Sequence, residues 1–354
     1  MKKGTALITG GAGFIGSHTA DALAGKGYKI VILDNLEPVV HRGKWPKYIL
    51  GKGYKLIRGD VRRKSDWQRA LKGVSFVYHL AAYQDQRPDF SKFFETNTVG
   101  TSFLYEVIVE KKLPVKKIII AGTQFVYGDG LYKCAHGKGG TFYADLRTLN
   151  DFKRKKFDIL CPHGRAAEFF PFSENQEPTP INAYGLSKLA AEKLSLRFGK
   201  TYGIPTTVLR YSIVQGARQS PKNLYSGALR IFATQAIAGE LITVYEDGKQ
   251  SRDFVNVKDV VAANCLALKN KKTNFEIYNV GGGKAHSVLD FAKTMKKVSG
   301  SRSAIKIGGF RRTDTRHAIS DISKLKKLGW RPKFSPAESA KEYIRWYLGE
   351  FDKI

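Results

Sequence analysis

Tyr184 and Lys188 stand four residues apart in Tyr184-Gly185-Leu186-Ser187-Lys188. On a helix that spacing puts both side chains on one face. A free phenol titrates near ~10, too high for an efficient base at neutral pH. An ammonium nearby favours the phenolate, and the positive ring of a nicotinamide favours it further. The pair therefore suits removal of a hydroxyl proton by general-base catalysis. Thr123 ends the apolar run Lys117-Ile118-Ile119-Ile120-Ala121-Gly122, where its hydroxyl can donate to the reacting oxygen.

The elements that must position these groups begin at the amino terminus. Ala6-Leu7-Ile8-Thr9 reads as a buried strand and runs straight into Gly10-Gly11-Ala12-Gly13-Phe14-Ile15-Gly16. Ile15, Thr19, Ala22 and Leu23 then share one helix face, and Gly25 and Gly27 stop that helix. A second strand, Lys29 to Leu33, ends in Asp34, 18 residues beyond Gly16. In such a unit Gly10 permits the tight turn, Gly13 lets backbone approach a pyrophosphate, and Gly16 lets helix pack on strand. The helix N-terminus offers free N–H groups to the phosphates. Asp34 can accept hydrogen bonds from both ribose hydroxyls and repels a 2′-phosphate, so the spacing points to NAD over NADP.

Strand-like runs recur at residues 54–57, 75–78 and 117–120, with helical segments between them. Residues 91 to 110 place Asn97, Thr101, Leu104 and Ile108 on one face. The alternation predicts an α/β fold of the Rossmann type, a doubly wound parallel sheet. Ligands of such sheets sit at the carboxyl ends of the strands, where Gly10, Asp34, Asp60, Ala81 and Thr123 all fall.

The chain resembles the extended short-chain dehydrogenase/reductase family of NAD-dependent nucleotide-sugar epimerases and dehydratases. The resemblance rests on Thr9 to Gly16, His79-Leu80-Ala81-Ala82, Val126-Tyr127-Gly128 and Tyr184 to Lys188. It continues through Leu209-Arg210-Tyr211, Arg252-Asp253-Phe254-Val255, Tyr278-Asn279-Val280-Gly281 and Leu328-Gly329-Trp330. It implies Tyr184 as the base, Lys188 as its partner and ribose anchor, and Thr123 as the hydroxyl that holds the sugar. The cofactor would be held by Gly10, Gly13, Phe14, Ile15, Gly16, Asp34, Asn35, Asp60, Val61, Leu80, Ala81, Ala82, Asn97 and Tyr211, together with Tyr184 and Lys188.

Within the family, dehydratases carry Asp-Glu after the threonine, whereas this chain has Gln124-Phe125. The expectation is therefore a 4-epimerase working through a transient 4-keto sugar. The alternatives are a 4-ketosugar reductase and, in a different class, a non-catalytic nucleic-acid-binding protein on the same fold. The segments Asn223 to Gly227, Ile231-Phe232 and Glu246 to Asp253 resemble the branch that includes dTDP-rhamnose 4-epimerase-like proteins. The partner implied is a dTDP- or UDP-sugar, with Gln124 on the substrate. Arg252 and Arg316 are placed on the diphosphate, because guanidinium forks match phosphate oxygens. Ile213 stands where the family has an Asn that helps hold the diphosphate, and it cannot donate that bond. A homodimer is expected. Residues 1–211 form the cofactor domain, with 254–280 returning to it, and 212–253 with 281–354 form the substrate domain.

Residues 129–172 make an insertion far longer than an ordinary connection. It holds Cys134-Ala135-His136 and Cys161-Pro162-His163, two pairs that can be read as a structural zinc site in a lobe with too few apolar residues to fold alone. Across the 354 residues, 42% are hydrophobic and 26% charged, which excludes a disordered or fibrous chain. No run approaches the ~18 apolar residues of a membrane span. Three cysteines suit a reducing cytoplasm rather than a disulfide framework. Sixty Lys+Arg against 31 Asp+Glu leave a net charge of +29, which favours anionic partners without choosing among them. The basic residues are spread along the chain, and the intact Thr123, Tyr184 and Lys188 argue against nucleic acid as the partner.

Overall fold

Seven strands lie parallel in one sheet in the order β7-β6-β5-β4-β1-β2-β3. They are β1 (Thr5–Thr9), β2 (Lys29–Asp34), β3 (Lys55–Arg58), β4 (Phe76–His79), β5 (Lys117–Thr123), β6 (Thr206–Tyr211) and β7 (Glu276–Val280). The computed structural model describes residues 3–85, 87–135, 140–222, 227–312 and 314–351. Chain order reverses between β1 and β4, and that is where a doubly wound sheet opens a crevice for a ligand.

The strands are nearly continuous apolar runs because both faces are covered. Alternate residues serve the two faces: Ile8, Ile32, Tyr78, Ile119 and Leu209 belong to one core, Leu7, Val31, Val77, Ile118 and Val208 to the other. The first core is closed by α1 (Phe14–Ala24) and the second by α2 (Gly100–Glu110) and α3 (Ala183–Thr201). Helix α4 (Val257–Lys269) packs beside α1. The segment before α2 is α-helical at Phe90–Phe93 and widens to a π-helix at Phe94–Val99. Asn97, Thr101, Leu104 and Ile108 are all buried, as the sequence spacing predicts.

A third core holds the smaller part together. It gathers Leu229, Phe232, Phe254, Phe291, Met295 and Tyr343 from helices Ala228–Ile237, Val288–Ser299 and Pro336–Phe351 and the strand Phe254–Asn256. That strand pairs with Ile213–Gln215, not with the central sheet. Of residues 254–280, only β7 joins the sheet, with α4 on its face.

The insertion forms a three-stranded antiparallel sheet from Leu131–Cys134, Thr141–Tyr143 and Ala167–Phe169. Contrary to the reading of a coreless lobe, Tyr132, Ala144 and Ile159 are buried together against Phe142 and Phe169. Further support comes from outside the lobe: Phe152 stacks on Phe310 at 4.7 Å, and Arg147 donates to the Glu246 carboxylate at 2.9 Å. Among the described residues no helix is long and apolar enough to cross a membrane.

Candidate active site

The glycine loop closes between β1 and α1. Gly10 has φ +65°, and a Cβ there would lie 2.9 Å from the Ala81 backbone. A Cβ on Gly16 would lie 2.2 Å from the Gly10 carbonyl oxygen, so helix and turn meet only if that residue is glycine. Gly13 caps α1 without a side-chain hydrogen bond. Phe14 and Ile15 therefore begin a helix whose first N–H groups and partial positive charge face the crevice. Asp34 ends β2 and accepts from the backbone N–H of Ala12 at 3.0 Å and of Leu36 at 2.9 Å. Burial holds its carboxyl above the usual range, against the His41 charge and those two donors. This cradle, with an acid at the ribose position, fits NAD.

The other strand-end residues occupy the same rim. Asp60 pairs with Arg62 at 2.7 Å and bonds the Asn35 side chain. Val61 is buried, and its carbonyl accepts from the Trp67 indole at 2.8 Å. Leu80 and Ala81 donate backbone N–H bonds to the Thr9 hydroxyl at 3.2 and 3.1 Å, and Ala82 beyond them is exposed.

Two expected cofactor residues are engaged elsewhere. The Asn97 amide accepts from Tyr83 N at 2.8 Å and donates to Tyr83 O at 3.0 Å and Ser187 Oγ at 2.9 Å. It positions α3 against the end of β4, and its polar atoms are spent there. Tyr211 turns into the core and donates its hydroxyl to Asn264 Oδ1 at 2.7 Å. Its side chain packs in the core between β6 and α4, the helix that carries Asn264.

The chemical centre lies between β5 and α3. Asn182 caps α3 by accepting from Gly185 N at 2.8 Å, which sets Tyr184 in the first turn. Thr123, last in β5, accepts from Phe125 N at 3.2 Å, and its hydroxyl is hydrogen-bonded to that of Tyr184. Burial pushes the Tyr184 phenol up to about 12, opposed by the Thr123 bond. Sequence reasoning expects the Lys188 and nicotinamide charges to favour the phenolate; desolvation of the enclosed ring has the opposite sign. Lys188 lies one turn on, and burial brings it down to about 8 although Glu192, a further turn on, opposes that. Glu192 is tied to Arg210 through both carboxylate oxygens, and Arg210 donates to the Tyr127 hydroxyl at 2.6 Å. This buried chain fixes the helix rotation on which the Tyr–Lys pair depends.

A cavity of about 800 Å³ opens beside Tyr184. Gln124, Phe125 and Phe93 line it from the sheet side, Ile231, Phe232, Tyr245, Arg252 and Arg311 from the smaller part. Gln124 is buried with neither amide atom partnered, a polar group that suits a bound polyhydroxyl ligand. Arg252 is also buried, and its hydrogen bonds go to the carbonyls of Ser251 and Arg316. Among the described residues no carboxylate lies within ion-pair distance of it. Burial pulls its guanidinium below the usual range, and an anion in the cavity would offset that cost.

Arg316 does not take the role assigned to it. Its guanidinium is 1% exposed and pairs with Asp158 at 2.6 Å, Asp247 at 2.7 Å and Glu246 at 3.2 Å. Three carboxylates satisfy it, and it is absent from the cavity wall. Arg311, which lies over the Tyr245 ring at 5.0 Å, is on that wall with Arg252 and Arg87. The sequence showed it only as part of the Arg311-Arg312 pair, with no motif to set it apart.

Residues 6–157 and 161–281 match the NAD dependent epimerase/dehydratase family. The chain belongs to that family. It has the fold of the extended short-chain dehydrogenases/reductases. It is 31% identical to dTDP-L-rhamnose 4-epimerase of Burkholderia thailandensis, over 98% of this chain and 96% of that one. UDP-glucose 4-epimerase of Thermotoga maritima, solved with UDP-glucose, superposes with a TM-score of 0.79 at 29% identity, covering 98% of this chain and 99% of that one. UDP-glucuronic acid 4-epimerase of Bacillus cereus, solved with UDP-glucuronic acid and NAD, gives 0.79 at 26% identity, covering 98% and 100%.

The metal reading finds only a pair. The Cys134 and Cys161 thiols are buried and hydrogen-bonded to each other, and His163 is exposed. Among the described residues no three Cys, His, Asp or Glu side chains gather to hold a metal. His136 lies outside the described residues, as do 223–226 of the branch-specific segment.

Proposed function

We propose that the chain is an NAD-dependent nucleotide-sugar 4-epimerase. The observation that carries the reading is the hydrogen-bonded Thr123–Tyr184 pair beside a large cavity that also holds an unpaired buried arginine. Thr123 and Gln124 would hold the sugar, and Arg252 and Arg311 the diphosphate. When bound, NAD supplies the acceptor and then the donor of the C4 hydride, and its positive ring favours the phenolate. Tyr184 takes the proton of the C4 hydroxyl and returns it after the 4-keto sugar has turned over. Lys188 places its charge one turn below the phenol and anchors the ribose. Gln124-Phe125 offer no acid–base pair to eliminate water, which sets this site apart from a dehydratase. The relatives' substrates support a dTDP- or UDP-sugar, and the reading includes a homodimer in the cytoplasm.

The test is incubation with UDP- and dTDP-hexoses and 6-deoxyhexoses without added reductant, followed by separation of the C4 epimers. An epimer mixture approached from either side supports the reading. Stoichiometric consumption of added NADH with a 4-keto sugar, and no epimerisation without it, would replace it with a reductase.

A further inference from the structure

The carboxyl ends of the seven strands carry the candidate site, and their amino ends carry lysine. Gly25-Lys26-Gly27-Tyr28-Lys29 leads into β2, and Gly51-Lys52-Gly53-Tyr54-Lys55 repeats the same pattern into the neighbouring β3. Lys3, Lys72, Lys116, Lys200 and Lys272 stand shortly ahead of β1, β4, β5, β6 and β7. Parallel pairing brings all seven entries to one end of the sheet. Backbone bonds hold neighbouring entries side by side: Lys29 N–H donates to the Gly4 carbonyl at 3.1 Å, and Lys116 N–H to that of Ser75 at 2.8 Å. Lysines that are scattered along the chain are thus gathered by the fold.

Their charge is not offset locally. Segments 25–29, 51–55, 71–75, 111–117, 199–205 and 269–275 hold thirteen lysines and no Asp, Glu or Arg. Lys117 is buried and donates to the Asn270 carbonyl and the Thr273 hydroxyl; the other twelve are exposed. Among the described residues only Lys52 of the twelve lies within ion-pair distance of a carboxylate, that of Asp21 at 2.6 Å. Glu110 and Glu276 border these segments, but they are paired with Lys64 and Lys324.

We infer that this end of the sheet docks the protein on an anionic lipid bilayer. Ammonium groups on flexible stems are strongly hydrated point charges, which suit the diffuse negative potential of a membrane surface. Recognition of nucleic-acid phosphates and base edges leans on guanidinium forks, and these segments hold no arginine. Leu50, beside Gly51, is 51% exposed, and Tyr202, in the entry to β6, is 53% exposed. Both side chains suit the headgroup boundary. The candidate site lies at the opposite ends of the strands, so a docked molecule keeps its cavity open to solution.

The full-length protein is tested by flotation with phosphatidylcholine vesicles, and with vesicles of three parts phosphatidylcholine to one part phosphatidylglycerol. The expected result is binding to the second kind only, lost at high salt as the charges are screened. Neutralising Lys29, Lys55, Lys112 and Lys116 together to Gln should weaken that binding at least about thirtyfold, since each lysine at such a surface contributes roughly fivefold. Neutralising the exposed Lys284, Lys297, Lys306 and Lys327 removes the same charge from elsewhere and should cost less than about threefold. Hydrogen exchange of the wild-type protein on anionic vesicles should slow in residues 25–29, 51–55 and 111–117. Three outcomes overturn the inference. One is equal binding to both kinds of vesicle, or to neither. Another is an equal loss in the two variants, which would make net charge and not this face responsible. The third is tighter binding to a single-stranded RNA than to anionic vesicles at equal phosphate concentration, lost in the first variant alone, which would assign the face to nucleic acid.

Discussion

The Tyr184 hydroxyl touches Thr123 and faces the cavity, so Tyr184→Phe removes one atom from the chemistry and little from the packing. Loss of a positioned base typically costs ~10² to 10⁴ in rate. We expect turnover on the identified sugar to fall within that range with the thermal midpoint nearly unchanged; turnover close to wild type would assign the proton to another group. Asp34 acts through charge at the ribose position. Asp34→Ala should weaken NAD binding, because the Ala12 and Leu36 N–H groups lose their acceptor. It should also narrow the preference over NADP by removing repulsion of the 2′-phosphate. Paired titrations with the two dinucleotides measure the ratio, and an unchanged ratio would shift cofactor selection away from Asp34.

Between residues and domains, one hydrogen-bond chain ties the ends of β1 and β4 to the helix behind them. Thr9 Oγ1 lies 2.7 Å from His79 Nδ1, and His79 Nε2 lies 2.9 Å from Thr101 Oγ1, which donates to the Asn97 carbonyl. Thr101 has spent its proton, so the imidazole donates from Nε2 and accepts at Nδ1. Burial first, and the Lys188 charge second, push His79 down to about 3. The unfolded chain takes up this proton near ~6.5, and the folded one does not until about pH 3. Stability therefore falls as pH drops from ~6.5 toward that value, because protons favour the unfolded state there. His79→Asn loses native bonds but also loses that slope. Its deficit against wild type in urea unfolding should shrink between pH 7 and 5. A deficit that stays constant or grows would mean that His79 is charged in the native protein.

At the scale of the whole molecule, lobe and substrate part are joined through a buried charge cluster. Glu246 accepts from Arg147 of the lobe at 2.9 Å and from Arg316 at 3.2 Å, and its side chain is fully buried. Glu246→Gln leaves two buried guanidinium groups short of a carboxylate. Breaking such a buried pair costs roughly 3–5 kcal/mol. We expect a loss of that size in chemical denaturation, together with faster proteolysis within residues 141–172. A loss below about 1 kcal/mol would show that the remaining carboxylates and carbonyls satisfy both arginines. The wall that carries Asp314 and Thr315 depends on the same docking, so the variant should also weaken binding of the identified nucleotide sugar.

The strands, the glycine turn, Asp34 and the Thr–Tyr–Lys set were legible because each is fixed by local spacing. A run such as Lys117-Ile118-Ile119-Ile120 is a strand wherever it is buried, and Tyr184 and Lys188 share a helix face whatever packs around them. Backbone sterics fix Gly10 and Gly16 in the same local way. The partners of Arg316, Tyr211 and Asn97 were not legible because a side chain's partner is a property of distant sequence. Asp158, Glu246 and Asp247 reach Arg316 only through the fold, and the core claims Tyr211 through Asn264, 53 residues away. The fold likewise put Arg311 on the cavity wall, gave the lobe its buried residues and outside supports, and set the desolvation that raises Tyr184. Sequence thus determined the elements and where the candidate site residues stand on them. Tertiary structure decided which charges were neutralised and which stayed open to a ligand, because long-range pairing and burial have no signature in neighbouring residues.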